Sequence, residues 1–444
     1  MIELDVAIVG GGFSGCAVAA QLARHAPPSF SLALFEPDEL GRGAAYGTRH
    51  SEHLLNTRAH QMSLYPDDPE HFVRWLGVRA GRKDFVSRRL YGEYVGDVAG
   101  RTFARARFAV VEDRVGSVRR SERGGFVVES ALGRRFEARS VVLATGNPSP
   151  NDRFLPSEVL QHSGYVGDPW RFDYRVVDGH VLVIGSGLTA LDALVAMETS
   201  GYRGVVHMLS RHGRFPELHA DGVSYDVIPA LDTHSARTVL RSFRRHVEQA
   251  QQRGFDWRSV VDAVRPEAEA MWRRLSPVEQ QRFERHLRAH WERHRHRAPQ
   301  EVEAVRRRLE RRGSLISYAG RLAEMRLGTV TIATRGGEAV ALRPDWIVNC
   351  SGVGGARTMA KNPLLRAMRT DGLLQPDSRG VGLRVERDLA AIGAAGRRIE
   401  GLWVVGPPVR GSRFEATAVP ELSAMAEQVA LRVVQAARPE GQLA

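Results

Sequence analysis

Two glycine turns, each set between an apolar strand pattern and a helix pattern, stand 175 residues apart in this chain of 444 residues. The first, Gly10-Gly11-Gly12-Phe13-Ser14-Gly15, follows the apolar run Val6–Val9. The second, Gly185-Ser186-Gly187-Leu188-Thr189-Ala190, follows Val181–Ile184. Such a turn needs glycine because the backbone must double back and approach a pyrophosphate, whose charge then rests on the amides of a helix N-terminus. The motif alone is weak, since glycine turns also close ordinary strand–helix corners. The residue that ends the next strand sharpens it. After Leu32–Phe35 comes Glu36, whereas after Val205–Leu209 come Ser210 and Arg211. A carboxylate at that position accepts hydrogen bonds from ribose hydroxyls, and an arginine there pairs with a 2′-phosphate. The reading is FAD at the first turn and NADPH at the second. A solvated strand-end carboxylate and a plain surface arginine are the alternatives, and the glycine turns beside them weigh against both.

Composition narrows the class. The length allows two or three domains, and 43% hydrophobic with 26% charged residues is ordinary for a globular chain. No apolar stretch reaches the ~18 residues of a membrane helix, and the N-terminus lacks the basic start of a signal peptide. A cytoplasmic protein without a membrane partner is expected. The two cysteines, Cys16 and Cys350, form no Cys-x-x-Cys pair, which excludes dithiol chemistry of that kind. The net charge of +12 and pI near 10.4 come almost entirely from arginine, Lys83 and Lys361 being the only lysines. That bias is compositional, so no nucleic-acid partner is expected, although positive charge still draws anionic cofactors and acidic substrates.

Along the chain, the Gly41–Thr48 and His53–Ser63 segments make a loop too long and too rich in Gly, Asn and His for a simple connector, which marks it as functional. Residues 107–145 read as a three-stranded meander followed by a fourth strand, Ser140–Ala144, and the turn Thr145-Gly146. Residues 230–314 are poor in glycine and carry Trp257, Trp272 and Trp291 at helical stations, so they read as a helical insertion that covers a substrate cleft. Within it, the run His290–Arg297 is either an anion-binding surface or a solvated helix face. Its histidines lack metal-ligand spacing, and no metal is expected. Strands return at Gly328–Ile332, Trp346–Cys350 and Leu402–Val405, and a last helix runs to about Ala437. The expected fold is α/β, with two Rossmann-type dinucleotide-binding domains of three layers and parallel sheets. Residues 1–150 and 315–444 would form a discontinuous FAD domain, 151–229 the NAD(P)H domain and 230–314 the insertion. The C-terminal helix would aim its positive end at the flavin, where it stabilises negative charge.

Together these pieces resemble the bacterial FAD/NAD(P)-binding proteins of the FAD-dependent urate-hydroxylase type, related to the single-component flavin monooxygenases. The resemblance rests on Gly10–Gly15, Gly43–Gly47, Leu54–Ser63, Ala144–Gly146, Gly185–Ala190 with Ser210-Arg211, Trp291–Pro299, and the ending Gly406…Glu415…Pro420-Glu421. It implies reduction of FAD by NADPH, capture of O2 as a C4a-(hydro)peroxyflavin, and transfer of one oxygen atom to a small polar or acidic metabolite. It also implies cofactor contacts at Gly10, Gly12, Phe13, Ser14, Gly15, Glu36, Tyr46, Val115, Thr145, Gly146, Gly406 and Glu415 for FAD. For NADPH the implied contacts are Gly185, Ser186, Gly187, Leu188, Thr189, Ser210 and Arg211. The Gly-Asp pair common near the C-terminus of FAD enzymes is Gly406-Pro407 here, which puts the usual carboxylate contact in doubt.

No catalytic triad or carboxylate pair can be defended from spacing, as fits a reaction carried by a cofactor. Asn56 and Gln61 are candidates for polar contacts to the isoalloxazine, and Arg58 and Arg410 for an acidic substrate or the nicotinamide ribose. Loop hydrogen-bonders and surface charges are the alternatives for these four. An NAD(P)H-dependent flavin reductase or dehydrogenase that transfers no oxygen is the second functional reading. A flavin sensor with a binding module in the insertion is the third. Homo-oligomerisation is left open.

Overall fold

The computed structural model describes residues 2–105, 107–148, 150–355 and 359–437. Its strands are β1 (Ile2–Val9), β2 (Leu32–Phe35), β3 (Phe108–Val111), β4 (Val115–Arg120), β5 (Phe126–Ser130), β6 (Arg135–Leu143), β7 (Tyr165–Val166), β8 (Val181–Ile184), β9 (Val206–Ser210), β10 (Leu315–Arg326), β11 (Thr329–Thr334), β12 (Ala339–Leu342), β13 (Trp346–Asn349), β14 (Ala390–Ile392) and β15 (Arg398–Val404). The chain divides into two units. The described residues up to Asn151 and from Val353 onward form the first, and Asp152–Gly352 form the second.

In the first unit the strand order is β14-β15-β6-β1-β2-β3. Pairing is parallel from β15 through β3, while β14 is antiparallel to β15. The chemistry dictates this arrangement: Val6, Ala7 and Ile8 are fully buried, as a continuous apolar run must be in a sheet covered on both faces. The helices Phe13–His25 and Val419–Ala436 pack against each other. The ribbon of β4 and β5 leads antiparallel onto β6. This corrects the expected meander. Strand β3 belongs to the parallel sheet, beside β2, and the last two expected strands are one: β6 follows β1 over its whole length, taking β5 and then β15 on its other edge.

The second unit has the order β12-β11-β10-β9-β8-β13-β7. Stripped of its ribbon, the order β10-β9-β8-β13-β7 repeats the order β3-β2-β1-β6-β15 of the first unit. From the central strand before its glycine turn, β1 or β8, each unit builds outward on one side through two crossovers and returns after an antiparallel ribbon to the other side. The outermost position there is taken by β15 in the first unit and, in the second, by β7, which precedes β8 in the chain. This moves the expected domain boundary. Strand β10 pairs with β9 and β13 pairs with β8, so residues 315–352 belong to the second unit, and the chain returns to the first at Val353. The hydrogen-bonding edges of β9 and β8 decide the matter, because each needs a partner from this segment.

Residues 236–311 are helical, as six helices from Ala236–Gln252 to Gln300–Arg311. Ser235 and Thr238 form a capping box at the first, and Ser276 caps Pro277–His286, which is why the helices begin there. Trp272 is buried edge-on to Phe283, and Trp257 sits edge-on to His294.

Both cysteines are buried. Burial pushes the Cys16 thiol up to about 12, and it pushes Cys350 up as well. A thiol held above its ordinary range carries no thiolate near neutral pH, and the thiolate is the reactive form. Native protein at pH 8 should therefore leave both thiols unreacted with a disulfide reagent over minutes, and both should titrate in denaturant. A rapid native reaction of either thiol would contradict the burial.

Candidate functional sites at the two glycine turns

The first turn is built by the end of β6. Gly10 has φ +105°, and a Cβ there would lie 2.5 Å from the carbonyl oxygen of Ala144, so no side chain fits. A Cβ on Gly15 would come within 1.9 Å of the Gly10 carbonyl, which lets the Phe13–His25 helix start hard against the turn. Gly12 is different: its absent Cβ would meet only Gly43 Cα, at 3.5 Å. Gly146, at φ +70°, has nothing within 4 Å. Gly10 and Gly15 are thus glycine because protein atoms leave no room, whereas Gly12 and Gly146 border open space, as a turn that receives a dinucleotide backbone requires.

Other predicted residues converge there. Glu36 accepts from the Gly11 amide at 2.7 Å and from the Asp38 amide at 3.1 Å, so the strand-end carboxylate is already fastened to the turn. The Glu36 amide donates to Val111, placing the end of β3 beside it; Val115 begins the next strand, buried. Thr145 and Gly146 follow β6 after Ala144. Gly406, at φ +82°, lies so close to Ser14 that a Cβ would fall 2.6 Å from its hydroxyl. The end of β15 therefore meets the start of the first helix, with Glu415 buried between Gly406 and the C-terminal helix. That helix is tied to the Leu54–Ser63 loop by Ser423 Oγ donating to the Ser63 carbonyl at 3.0 Å.

Tyr46 and Phe13 sit differently from a cofactor-facing pair. Tyr46 is buried edge-on to Tyr91 at 4.7 Å, and Phe13 stacks on Tyr91 at 6.1 Å. Burial pushes the Tyr46 phenol up to about 12, so it stays protonated. These rings brace the Gly43–Gly47 loop against the turn.

Of the four catalytic candidates, Asn56, Arg58 and Gln61 share one loop, and Arg410 follows the Pro407–Val409 turn. Asn56 is half-buried in its loop and Gln61 is exposed. Arg58 donates to the Lys83 carbonyl at 2.7 Å and lies over the Phe85 ring. Arg410 donates to the carbonyls of Val353, Gly354 and Val381. Both arginines are thus engaged with main-chain oxygens, the loop-bonding alternative given for them above.

The second turn repeats the first. Gly185 has φ +120°, and a Cβ would lie 2.2 Å from the Cys350 carbonyl. Ser351-Gly352 then stands to Gly185 as Thr145-Gly146 stands to Gly10, with Gly352 at φ +91°. Asn349, buried, fixes this corner by accepting from Ser351 N and Oγ at 3.1 and 2.7 Å. Sequence reasoning assigns these residues to the wrong domain, although the parallel of Ala144-Thr145-Gly146 with Cys350-Ser351-Gly352 is the signal that places them. Gly187 caps the Leu188–Thr199 helix and has nothing within 4 Å; Thr189 lies in its first turn, and the third glycine position is filled by the buried Ala190. Ser186 Oγ donates to the Arg214 carbonyl at 2.7 Å, and Ser210 Oγ accepts from Gly213 N at 3.0 Å. These bonds fold the segment after β9 into a turn, and Arg211 on it is exposed.

A family model described as FAD-NAD(P)-binding matches residues 7–148. No curated protein sequence matches the chain. Among solved structures, it is similar to the L-lysine 6-monooxygenase of Pseudomonas syringae, at 17% identity over 98% of this chain and 99% of that one, with a TM-score of 0.66. It is similar also to the cadaverine monooxygenase of Erwinia amylovora, which was solved with FAD, at 14% identity over 100% and 98%, with a TM-score of 0.67. The bacillithiol disulfide reductase of Staphylococcus aureus is 12% identical over 98% and 99%, with a TM-score of 0.60. Residues 7–148 thus carry an FAD–NAD(P)-binding domain, and the whole chain has the fold of flavin-dependent oxidoreductases. No group of three or more His, Cys, Asp or Glu among the described residues could hold a metal, and no described helix is long and apolar enough to cross a membrane.

The two kinds of glycine at the second turn make separable predictions. Gly185→Ala should cost on the order of 1–3 kcal/mol in backbone strain alone, and the clash with Cys350 adds to it, so the melting temperature should fall by several degrees. Gly187→Ala meets no atom of the protein and should leave the melting temperature nearly intact, while weakening NADPH binding about tenfold or more by blocking the close approach of the pyrophosphate. Thermal melts and NADPH titrations of both variants check this, and a Gly187→Ala protein with wild-type NADPH affinity would contradict it.

Proposed function

We propose that this protein is an FAD-dependent, NADPH-using monooxygenase that places one oxygen atom of O2 on a small polar or acidic metabolite. One observation carries the reading: a single chain holds two dinucleotide turns of the same construction whose strand ends differ, Glu36 at one and Ser210-Arg211 at the other. Similarity to monooxygenases named for lysine and cadaverine supports it. The urate-hydroxylase type is the finer family reading, and it rests on the sequence motifs alone.

In this reading the chain does four things. Amides at Gly12 and the start of the Phe13–His25 helix hold the FAD pyrophosphate, and Glu36, fastened by the Gly11 amide, holds the adenosine ribose. The corresponding amides from Gly187 onward hold NADPH, with Arg211 on its 2′-phosphate. The C-terminal helix presents its positive end to the flavin, while Asn56 and Gln61 supply polar contacts near it. The helical segment 230–314 covers the reacting centre and keeps water out. FAD, when bound, supplies the redox chemistry.

The second reading, a reductase that passes electrons to another acceptor without oxygen transfer, is favoured by the similarity to a disulfide reductase. The buried, protonated thiols of Cys16 and Cys350 argue against disulfide exchange by this chain's own cysteines. The two readings separate in one experiment. Candidate metabolites are screened for faster NADPH consumption, and the product is then formed under 18O2. One 18O atom per product molecule is expected. Product without 18O, together with a reduced electron acceptor, would establish the reductase instead.

A further inference from the structure

The segment after β9 lies against two other parts of the second unit, and all three bring cations to one place. Ala319, at the end of the β9–β10 pairing and opposite Ser210, is the common support. Gly213, at φ +62°, packs so closely on Ala319 that a Cβ would lie 3.2 Å from its methyl. The amide of Arg335, on the turn between β11 and β12, donates to the Ala319 carbonyl at 2.8 Å. Both turns therefore rest on one residue, and their side chains meet: Arg335 Nη1 lies 2.6 Å from His212 Nδ1. A guanidinium can only donate, so the imidazole accepts through Nδ1 and is neutral.

The third part is the Arg288–Arg295 helix. Arg293 Nε donates to the Phe215 carbonyl at 3.0 Å, the Arg293 carbonyl accepts from Glu217 N at 3.0 Å, and Arg293 pairs with the Glu217 carboxylate. This fastens the helix to the segment leaving β9 and sets His290, one turn earlier, towards Arg214. Burial first, and then Arg335, Arg211, Arg214 and His290, hold His212 below the usual imidazole range; burial and then Arg214 act likewise on His290.

Like charges gathered this way repel unless an anion sits among them. Nearby arginines show the contrast: Arg306 and Arg307 pair with Glu303, and Arg308 and Arg312 pair with Glu198. Among the described residues no carboxylate pairs with Arg211, Arg214 or Arg335. Their place is the C-terminal end of the second strand after a glycine turn, where a dinucleotide's adenosine ribose lies.

We propose that the 2′-phosphate of NADPH is clamped from three separate segments, with Arg335 of the β11–β12 turn facing Arg211 across the phosphate and Arg214 and His290 closing its outer side. This rests on the reading of the second turn as the NADPH site. Arg335 is the specificity-determining residue that the strand-end motif alone does not reveal. Its planar guanidinium can meet two phosphate oxygens at once, which lysine cannot imitate.

The test uses the FAD-loaded full chain and two probes, 2′,5′-ADP and 5′-AMP, measured by calorimetry, with KM for NADPH and NADH alongside. Wild type should bind 2′,5′-ADP more tightly than 5′-AMP. Arg335→Gln should weaken 2′,5′-ADP about tenfold, leave 5′-AMP unchanged, and raise KM for NADPH but not NADH. Arg326→Gln, an exposed arginine on the same ribbon paired with Glu324, should change none of these. Equal 2′,5′-ADP affinity in wild type and Arg335→Gln, while Arg211→Gln loses it, would overturn the clamp and leave the NADPH reading standing. A wild type that does not discriminate between the probes would overturn both. Circular dichroism and melting curves confirm that the exposed substitution at Arg335 leaves the fold intact.

Discussion

Where Gly10 and Gly185 would carry side chains, a neighbouring strand's carbonyl oxygen already stands, Ala144 in one unit and Cys350 in the other. This close approach is possible only for glycine, since a Cβ at 2.5 or 2.2 Å would overlap the oxygen. Much else follows from it. It holds the ends of β6 and β13 against the turns, so that Thr145-Gly146 and Ser351-Gly352 flank the entrances. It lets the helices after the turns start at the strand ends, with their free amides directed into the cradles. It also explains why each unit must return a strand to the far side of the one that precedes its glycine turn, β1 or β8: the carbonyl has to come from there.

With the backbone shared, the proposed function leaves the choice of dinucleotide to the strand-end side chains. Glu36 is pre-organised, each of its oxygens holding one main-chain amide while retaining capacity for ribose hydroxyls. The second site takes the opposite form. Its arginines stand exposed around His212, an arrangement whose repulsion is relieved when a phosphate dianion arrives. A carboxylate fastened in place suits a neutral sugar, and an unneutralised arginine group suits a charged one.

How much of this was legible in the residues depended on distance along the chain. The glycine turns, Glu36 and Ser210-Arg211 could be read because each motif is local and its offsets are set by one strand and one helix. The C-terminal Gly406 was legible for the same reason, and its approach to Ser14 places it at the first turn. The return strand of the second unit was not, because the helical segment separates it from the turn it serves and the next strands in sequence belong to the other unit. Arg335 was illegible for a sharper reason: its position depends on a turn landing on Ala319, which no spacing rule reports. Arg58 and Arg410 carried a charge that suggested a ligand, but nearby carbonyls claim both, and loop carbonyls leave no mark in a sequence.

The central claim is that electrons pass from NADPH at one turn to FAD at the other within this one chain. Anaerobic titration of the FAD-loaded protein with NADPH, followed at the flavin absorbance near 450 nm, tests it most directly. The account predicts that one equivalent of NADPH bleaches one equivalent of FAD, and that NADH does so only at much higher concentration. A flavin that dithionite bleaches while NADPH leaves it oxidised would contradict it.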